Sequence, residues 1–566
     1  MKKTLSAVFC CLLALCLLFT ACADVEFNDA NVNQPGTIPV LKESYKITIG
    51  ISQDASYESW NTSAIGDWIK EQTNVEIEWK FYPTSGSEAR QQVELEIADA
   101  QASGNWDAVP DILLGVINEA QRNTFGKEGY LIELSEYFEK QGKFFYEAAE
   151  REGMDVEEII AYCKSPDGGL YGVPTLDMAL NNAYSNRAWI CTDFLEALDM
   201  DSPTTADELY DFLVGVRDND LNGNGKDDEI GIIGSQNGWN GNPLAWLQNM
   251  FIYCDNTDDR FMVVDGELDV SYDKDEYRDF LIYCKILVDE GLLDPLSFTQ
   301  DYNAAFLPQV NSEERIVAIA ICGGVGGFSS TEDNMVITHY EAAQVIEGPD
   351  GYKAATYTPS SGVIPSTTAY ITCAAESPEA CFAFLMIGFS DENYAINARY
   401  GVQGLDWDYC TDGEEGLYQE LGYPAEFKLL RGDLRKITGQ TSVWGGANIT
   451  TLPYFGHAGM SYYVDTAISG NIGTKMTADT TVAQAPYAPE EVVGKIIYTE
   501  EESEKTQNDR TDIRNYIKEA RTQFVTGIMD PENDDDWNAY IEQLNAYNYL
   551  DVLEIDREAY HRTIGK

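Results

Sequence analysis

The segment Asp220-Leu-Asn222-Gly-Asn224-Gly-Lys226-Asp-Asp228-Glu229 most constrains what this chain can fold into. Oxygen-bearing side chains recur at every second position, two glycines lie between them, and acidic residues close the run. A hard cation such as Ca²⁺ takes six to eight oxygen ligands and tolerates irregular geometry. A tight loop that turns alternate residues inward would supply them from Asp220, Asn222, Asn224 and Asp228, the backbone carbonyl of Lys226, and Glu229. Gly223 and Gly225 permit the positive φ angles that such winding demands. An EF-hand-like register running from Asp218 to Glu229 fits the same residues. The alternative is an Asn/Gly/Asp-rich turn that binds no ion.

The flanks of the loop are equally directive. Thr205 and Glu208 form the two ends of a capping box. Leu209, Phe212, Leu213 and Val216 follow at helical spacing, so a helix runs directly into the loop. Ile230-Gly-Ile-Ile233 leaves it as a short strand. Elsewhere strands such as 46–51 and 75–81 alternate with helices such as 276–290, and Ser377-Pro378 caps another. Strand–helix alternation implies parallel or mixed sheets flanked by helices, with ligands at the carboxyl ends of the strands. No internal repeat is visible. The charged stretch 499–512 reads as a solvated surface helix or loop. A chain of 566 residues suits two or more domains.

Charge and side-chain chemistry exclude several functions. The net charge is −58, with 95 acidic residues against 37 basic. Such a surface repels nucleic acid, anionic lipid and polyanionic ligands. No Lys/Arg stripe offers a phosphate footprint, so nucleic-acid binding is excluded. A neutral ligand fits better than an acidic one. Of the 12 cysteines, Cys10, Cys11, Cys16 and Cys22 lie in or at the end of the N-terminal apolar run. The rest are scattered without a Cys-x-x-Cys pair, and buried thiols are expected rather than disulfides. Three histidines, His339, His457 and His561, are too dispersed for a zinc site. No Gly-x-Ser-x-Gly elbow supports a hydrolase. The chain is therefore expected not to be an enzyme.

The N-terminus carries a secretory pattern. Lys2 and Lys3 precede an apolar run from Leu5 to Phe19, then Thr20-Ala21-Cys22. This resembles a lipobox, with Phe19 where Leu is usual, and implies cleavage after residue 21 and acylation of Cys22. An uncleaved anchor and a plain signal peptide are the alternatives. Residues 22–44, rich in Asn, Asp, Pro and Gly, are expected to form a flexible tether.

Several ordered motifs then converge on one family. They include Tyr45-Lys-Ile-Thr-Ile-Gly50, Val109-Pro-Asp111-Ile-Leu, Leu170-Tyr-Gly-Val-Pro174 and Trp189 through Thr205. Glu290-Gly-Leu-Leu-Asp294-Pro, Ile371 through Glu379, Tyr400 through Trp407 and Asp536-Trp-Asn-Ala-Tyr540 continue the series. With the ion loop between them, the chain resembles the extracellular solute-binding protein family 1. These are the sugar-binding lipoproteins of bacterial ABC importers, and the alginate-oligosaccharide-binding group is the nearest branch.

The resemblance implies an α/β, two-lobed periplasmic-binding-protein-like fold of type II, each lobe a mixed sheet flanked by helices, with a hinge between. Residues 45–178 plus 364–410 would form the first lobe, and 179–363 plus 411–566 the second, with the calcium loop. The implied role is capture of a neutral oligosaccharide by hinge closure and delivery to permease subunits. The protein would be a monomer, lipid-anchored on the outer face of the cytoplasmic membrane, with Ca²⁺ structural. A secreted calcium-binding polysaccharide-degrading enzyme and a peptide or sensory receptor on the same fold are the alternatives.

Sugars present apolar C–H faces and a rim of hydroxyls, so aromatic platforms and Asp or Asn side chains are the candidate ligand groups. Trp239 stands in a polar loop directly after the strand 230–233. Trp246 follows at an apolar helix start, where core and site are equally consistent. Trp60 follows the first strand and Trp444 is loop-borne. Asp111 is expected to end a strand and face the cleft. Asn181, Asn182 and Tyr184 lie near the first lobe crossing. Trp189 and Trp407 are expected in the core.

Overall fold

The computed structural model describes residues 29–52, 64–83, 86–177, 179–235, 237–253, 255, 257–331, 334–358, 365–401, 403–430, 452–456, 462–467 and 471–565. Trp60, Trp444 and Cys22 lie outside the described residues.

Two principal sheets organise the chain. The first has six strands in the order Phe455–Gly456, Val173–Asp177, Ser366–Ile371, Ile112–Leu114, Tyr45–Ser52 and Val75–Tyr82. Tyr45–Ser52 runs parallel to both of its neighbours, while Ser366–Ile371 is antiparallel to both of its own. The second has four strands in the order Tyr340–Ala342, Ala188–Cys191, Val317–Ile321 and Ile230–Ile233. Ile230–Ile233 and Val317–Ile321 are parallel, whereas Ala188–Cys191 is antiparallel to both flanking strands. Both are mixed sheets covered by helices, as the strand–helix alternation implied.

Each sheet has its own core. Ile47, Ile49, Ile112, Phe145 and Phe382 centre the first. Trp189, Phe212, Phe280, Ile319 and Phe524 centre the second. Trp189 and Trp407 are fully buried, as expected. The helix Ala206–Asp218 carries the Thr205/Glu208 capping box and buries Leu209, Phe212, Leu213 and Val216. The charged stretch after Thr499 opens a long helix, Glu500–Val525. A second capping box starts it, and Ile513, Ile517 and Phe524 then dock it on the second core. Cys163, Cys191, Cys284, Cys322 and Cys381 are buried, Cys373 and Cys410 are partly buried, and none of these seven is in a disulfide.

Two boundaries differ from the sequence reading. Residues expected in a free tether are docked: Leu41 is fully buried, and the amides of Val40 and Leu41 donate to the carbonyls of Gln72 and Thr73. Two apolar side chains in an otherwise polar stretch suffice to pin it. Residues after 410, assigned from sequence to the second lobe, also depart. Leu417, Tyr418, Phe427, Leu452, Phe455 and Val464 belong to the core of the first sheet. The helix Ile472–Gln484 then touches both cores, Ala478 on the first and Ile472 and Met476 against the second.

Three passages of chain meet between the lobes. The Thr358 amide donates to the Ala183 carbonyl at 2.7 Å, and the Ala355 amide to the Tyr487 carbonyl at 2.9 Å. Ala183, Tyr184 and Ala355 form a small cluster there, flanked by Tyr357, Ala485 and Ala488.

Candidate functional site

The loop 234–242 leaves the carboxyl end of Ile230–Ile233 beside the parallel strand Val317–Ile321, which is followed through Cys322 by Gly323-Gly324. Hydrogen bonds brace it on every side. Asn186 Nδ2 donates to the carbonyls of Asn240 and Asn242, and Asn240 Nδ2 donates to Ser185 Oγ. Asn237 bonds Asp301 through its amide nitrogen and accepts from the Tyr302 amide at 2.8 Å. Asn240 adopts a left-handed φ of 47°, which Asn tolerates better than most residues.

This frame presents Trp239. Its side chain is 51% exposed, although the loop beneath it is fixed. The indole rests on Gly323: a Cβ built there would lie 2.4 Å from Cε3 and 2.5 Å from Cδ2. The Gly323 amide donates to the Trp239 carbonyl at 2.7 Å. One ring face is thus backed by backbone that only glycine makes flat, and much of the ring remains in solvent. Such a surface stacks the apolar C–H face of a pyranose or furanose ring.

Beneath the platform lies a residue that the sequence reading missed. Arg187 is fully buried and ties three elements together. It donates to the carbonyls of Gly323 and Asn181 and, at 3.0 Å, to Thr481 Oγ1 on the helix that touches both cores. Burial pulls its pKa down to about 10, which leaves the guanidinium charged at neutral pH. The only available signal was its position in the polar run Ser185-Asn186-Arg187 just before an apolar strand.

The other predicted ligand residues separate. Trp246 is buried in the helix Pro243–Gln248 and is a core residue, not an exposed platform. Asp111 precedes the strand Ile112–Leu114 rather than ending it, and its Oδ2 accepts from the Thr48 amide at 2.7 Å. That puts it at the amino end of the sheet, away from the carboxyl ends where a cleft would lie. Burial raises its pKa against the Thr48 hydrogen bond. Asn181 and Asn182 sit half-buried on the short helix Leu180–Ala183 at the lobe crossing. Tyr184 is buried there, 4.9 Å from the Tyr357 ring. Burial, then Tyr357 and Tyr423, pushes its hydroxyl up to about 12.

At the rim, side chains from the two lobes meet. Lys127 pairs with Glu500 and, at 3.1 Å, with Glu504. Lys495 donates to the Tyr162 carbonyl and lies 3.4 Å from Glu119. Solvent screening keeps such exposed pairs weak.

The oxygen-rich loop is wound as its glycines allow, with φ of 71° at Gly223 and 76° at Gly225. Asp220 accepts from the amides of Asn224 and Gly225, and Glu229 from those of Leu221 and Asn222. The amide nitrogens of Asn222 and Asn224 both reach Asp228. Asp218 is held instead by Arg217, so the winding centres on Asp220. Glu314, from outside the loop, takes hydrogen bonds from Asn224 Nδ2 and Lys226 Nζ. Among the described residues no three His, Cys, Asp or Glu side chains converge as a metal-holding group.

No family model matches the sequence. The chain is 23% identical over 549 residues to the fructooligosaccharide ABC transporter substrate-binding protein FusA of Streptococcus pneumoniae, covering 93% of this chain and 91% of FusA. It is 25% identical over 272 residues to the lipoprotein LipO of Bacillus subtilis, covering 47% of this chain and 51% of LipO. In structure it is similar to FusA bound to kestose, with a TM-score of 0.69 and 19% identity over 92% of this chain and all of that one. An EF-hand mutant of FusA bound to fructo-nystose superposes with the same score. The alginate-binding protein AlgQ2 gives 0.60 at 16% identity, covering 94% of this chain and 99% of that one.

Proposed function

We propose that this chain, a sugar-binding protein of the ABC-transporter type by its fold and its full-length likeness to FusA, captures an oligosaccharide outside the cell and hands it to a permease. The observation that carries this reading is Trp239. It is a half-exposed indole laid on Gly323 at the carboxyl ends of two parallel strands. An aromatic platform there stacks a sugar ring, and Asn181 and Asn182 at the crossing supply amide donors and acceptors. The FusA ligands make a short fructan the first candidate, and the chain's net charge favours a neutral sugar.

Two lobes joined by three chain passages close around the ligand, and the closed form gains only what both lobes contribute to it. The rim pairs of Lys127 and Lys495 would form on closure and separate on opening. Arg187 anchors the platform backbone to the helix that touches both cores, so closure and platform position are linked. The relatives are substrate-binding proteins, which supports a ligand that leaves unchanged.

Two attachments complete the reading. Cys22 is the acylated residue that tethers the protein to the outer face of the cytoplasmic membrane. Ca²⁺ is held by Asp220, Asn222, Asn224, the Lys226 carbonyl, Asp228 and Glu229, where it stabilises the second lobe. The likeness to a lipoprotein and to an EF-hand-bearing protein supports both.

The test is titration calorimetry of the soluble mature protein with kestose, nystose and other neutral tri- to pentasaccharides, with products followed by chromatography. Micromolar or tighter binding with no bond cleavage is expected. Hydrolysis would turn the assignment to an enzyme, and binding confined to peptides would turn it to a receptor of another class.

A further inference from the structure

Behind the Trp239 loop lies a second cavity, of about 230 Å³. Gly238, Asn240 and Asn242 of that loop form one wall. Thr257, Ile517, Arg260, Arg514, Lys518 and Arg521 line the rest, with Asp258 the only carboxylate among the described lining residues. Arg260 and Arg521 are themselves more than nine-tenths buried. Arg514 grips Asp259 through two hydrogen bonds of 2.7 and 2.6 Å, and Arg510 lies 3.7 Å from the same carboxylate.

This concentration is unusual for the molecule. Acidic residues outnumber basic ones 95 to 37 in the whole chain, yet four cationic side chains share this one cavity. Counting Asp259 and the buried Asp255, which interacts with Arg260, together with the lining groups, four cations stand against three carboxylates. At physiological salt, charges more than about 8 Å away are largely screened. The distant carboxylates that repel a polyanion therefore do not cancel the local field. Guanidinium groups hydrogen-bond oxyanions through a planar fork. The volume suits a small anion or one acidic sugar ring.

We propose that this cavity is an oxyanion-binding site adjoining the sugar platform, which takes either a free inorganic oxyanion or the carboxylate of an acidic saccharide residue. Occupancy would fasten the loop that carries Trp239 to the helix Glu500–Val525 from behind. The saccharide source rests on the sugar-binding role proposed above, whereas the free-anion source does not.

The experiment uses the full mature protein with sodium phosphate, sodium sulfate, a uronate-bearing trisaccharide and its neutral counterpart, at constant ionic strength. Lys518 is exposed on the cavity edge, so Lys518→Glu should fold normally. Lys505→Glu makes the same charge change on an exposed lysine of the same helix that does not line the cavity. Phosphate or the uronate should raise Tm and bind measurably. Lys518→Glu should weaken that binding at least tenfold, and Lys505→Glu by less than twofold. Binding of phosphate without preference for the uronate identifies a free anion. Tighter binding of the uronate than of its neutral counterpart, competed by phosphate, identifies the saccharide. Failure of all three anions to bind, or equal weakening by both variants, overturns the proposal. If neutral sugars also fail, the phosphate result still decides it.

Discussion

Gly323→Ala tests the platform without touching the tryptophan. An added Cβ would stand 2.4 Å from Trp239 Cε3, 2.5 Å from Cδ2 and 2.9 Å from Cζ3. Carbon atoms sit comfortably at about 3.5–4.0 Å, so the indole has to withdraw by roughly 1 Å or more. Because 51% of Trp239 is exposed, it withdraws into solvent rather than into the core. Alanine keeps the backbone bonds of residue 323 to Trp239 and Arg187. Gly323 is itself buried, but the overlap is relieved by a half-exposed ring, so stability should fall by about 1 kcal/mol, the low end of the cost of overpacking. Affinity should fall more. If the platform is a central contact worth about 2 kcal/mol, Trp239→Ala weakens binding about 30-fold. A displaced ring loses a large part of that, roughly tenfold. The double variant should bind no more weakly than Trp239→Ala alone, because both changes remove one contact. Calorimetric titration of the four proteins with one tight-binding trisaccharide closes the cycle. Wild-type affinity in Gly323→Ala, or additive losses in the double variant, would refute the reasoning.

Two further outcomes follow from charged groups away from the platform. Burial pushes Asp255 up to about 7 despite hydrogen bonds from Thr257 Oγ1 and the Phe261 amide. A raised carboxyl pKa adds stability below about pH 4, and that contribution is lost as pH rises through 7. At about 1.4 kcal/mol per pH unit, the difference is of the order of 4 kcal/mol. Both hydrogen bonds end on Oδ1, which an asparagine retains, so Asp255→Asn should gain on wild type steadily from pH 4 to 8 in parallel thermal melts. Parallel curves would remove Asp255 as the titrating group. Calcium should raise the melting temperature, by about 2.7 kcal/mol of stability when free calcium is 100-fold above Kd. Excess chelator should reverse this, and Asp220→Ala should melt alike with and without the ion. A wild-type melt indifferent to chelator would remove calcium from the loop.

What the sequence carried was local and periodic. The Thr205/Glu208 box, the stripe Leu209–Val216 and the strand 230–233 were legible because helix caps and apolar spacing depend on near neighbours. Trp239 stood out because a tryptophan in a run of Asn and Gly has no core to enter. The alternation of strands and helices gave mixed sheets flanked by helices by the same reasoning, whereas the two lobes were implied by the family resemblance. Tertiary structure decided whatever depends on which distant segments meet. Asp111 opens a strand and bonds the first strand's Thr48, and no local pattern records which end of a sheet a Pro-Asp pair occupies. Leu41 and Val40 convert a polar stretch into a docked one by finding a groove beside Thr73. Leu417, Tyr418, Phe427, Leu452, Phe455 and Val464 join the first core, although the loss of clear periodicity after 410 concealed it. Arg187 reads as a surface charge until three oxygens, contributed by Asn181, Gly323 and Thr481, close around it. Hydrogen bonds and burial are properties of positions in space, and a linear pattern reports them only where the neighbours in space are also neighbours in the chain.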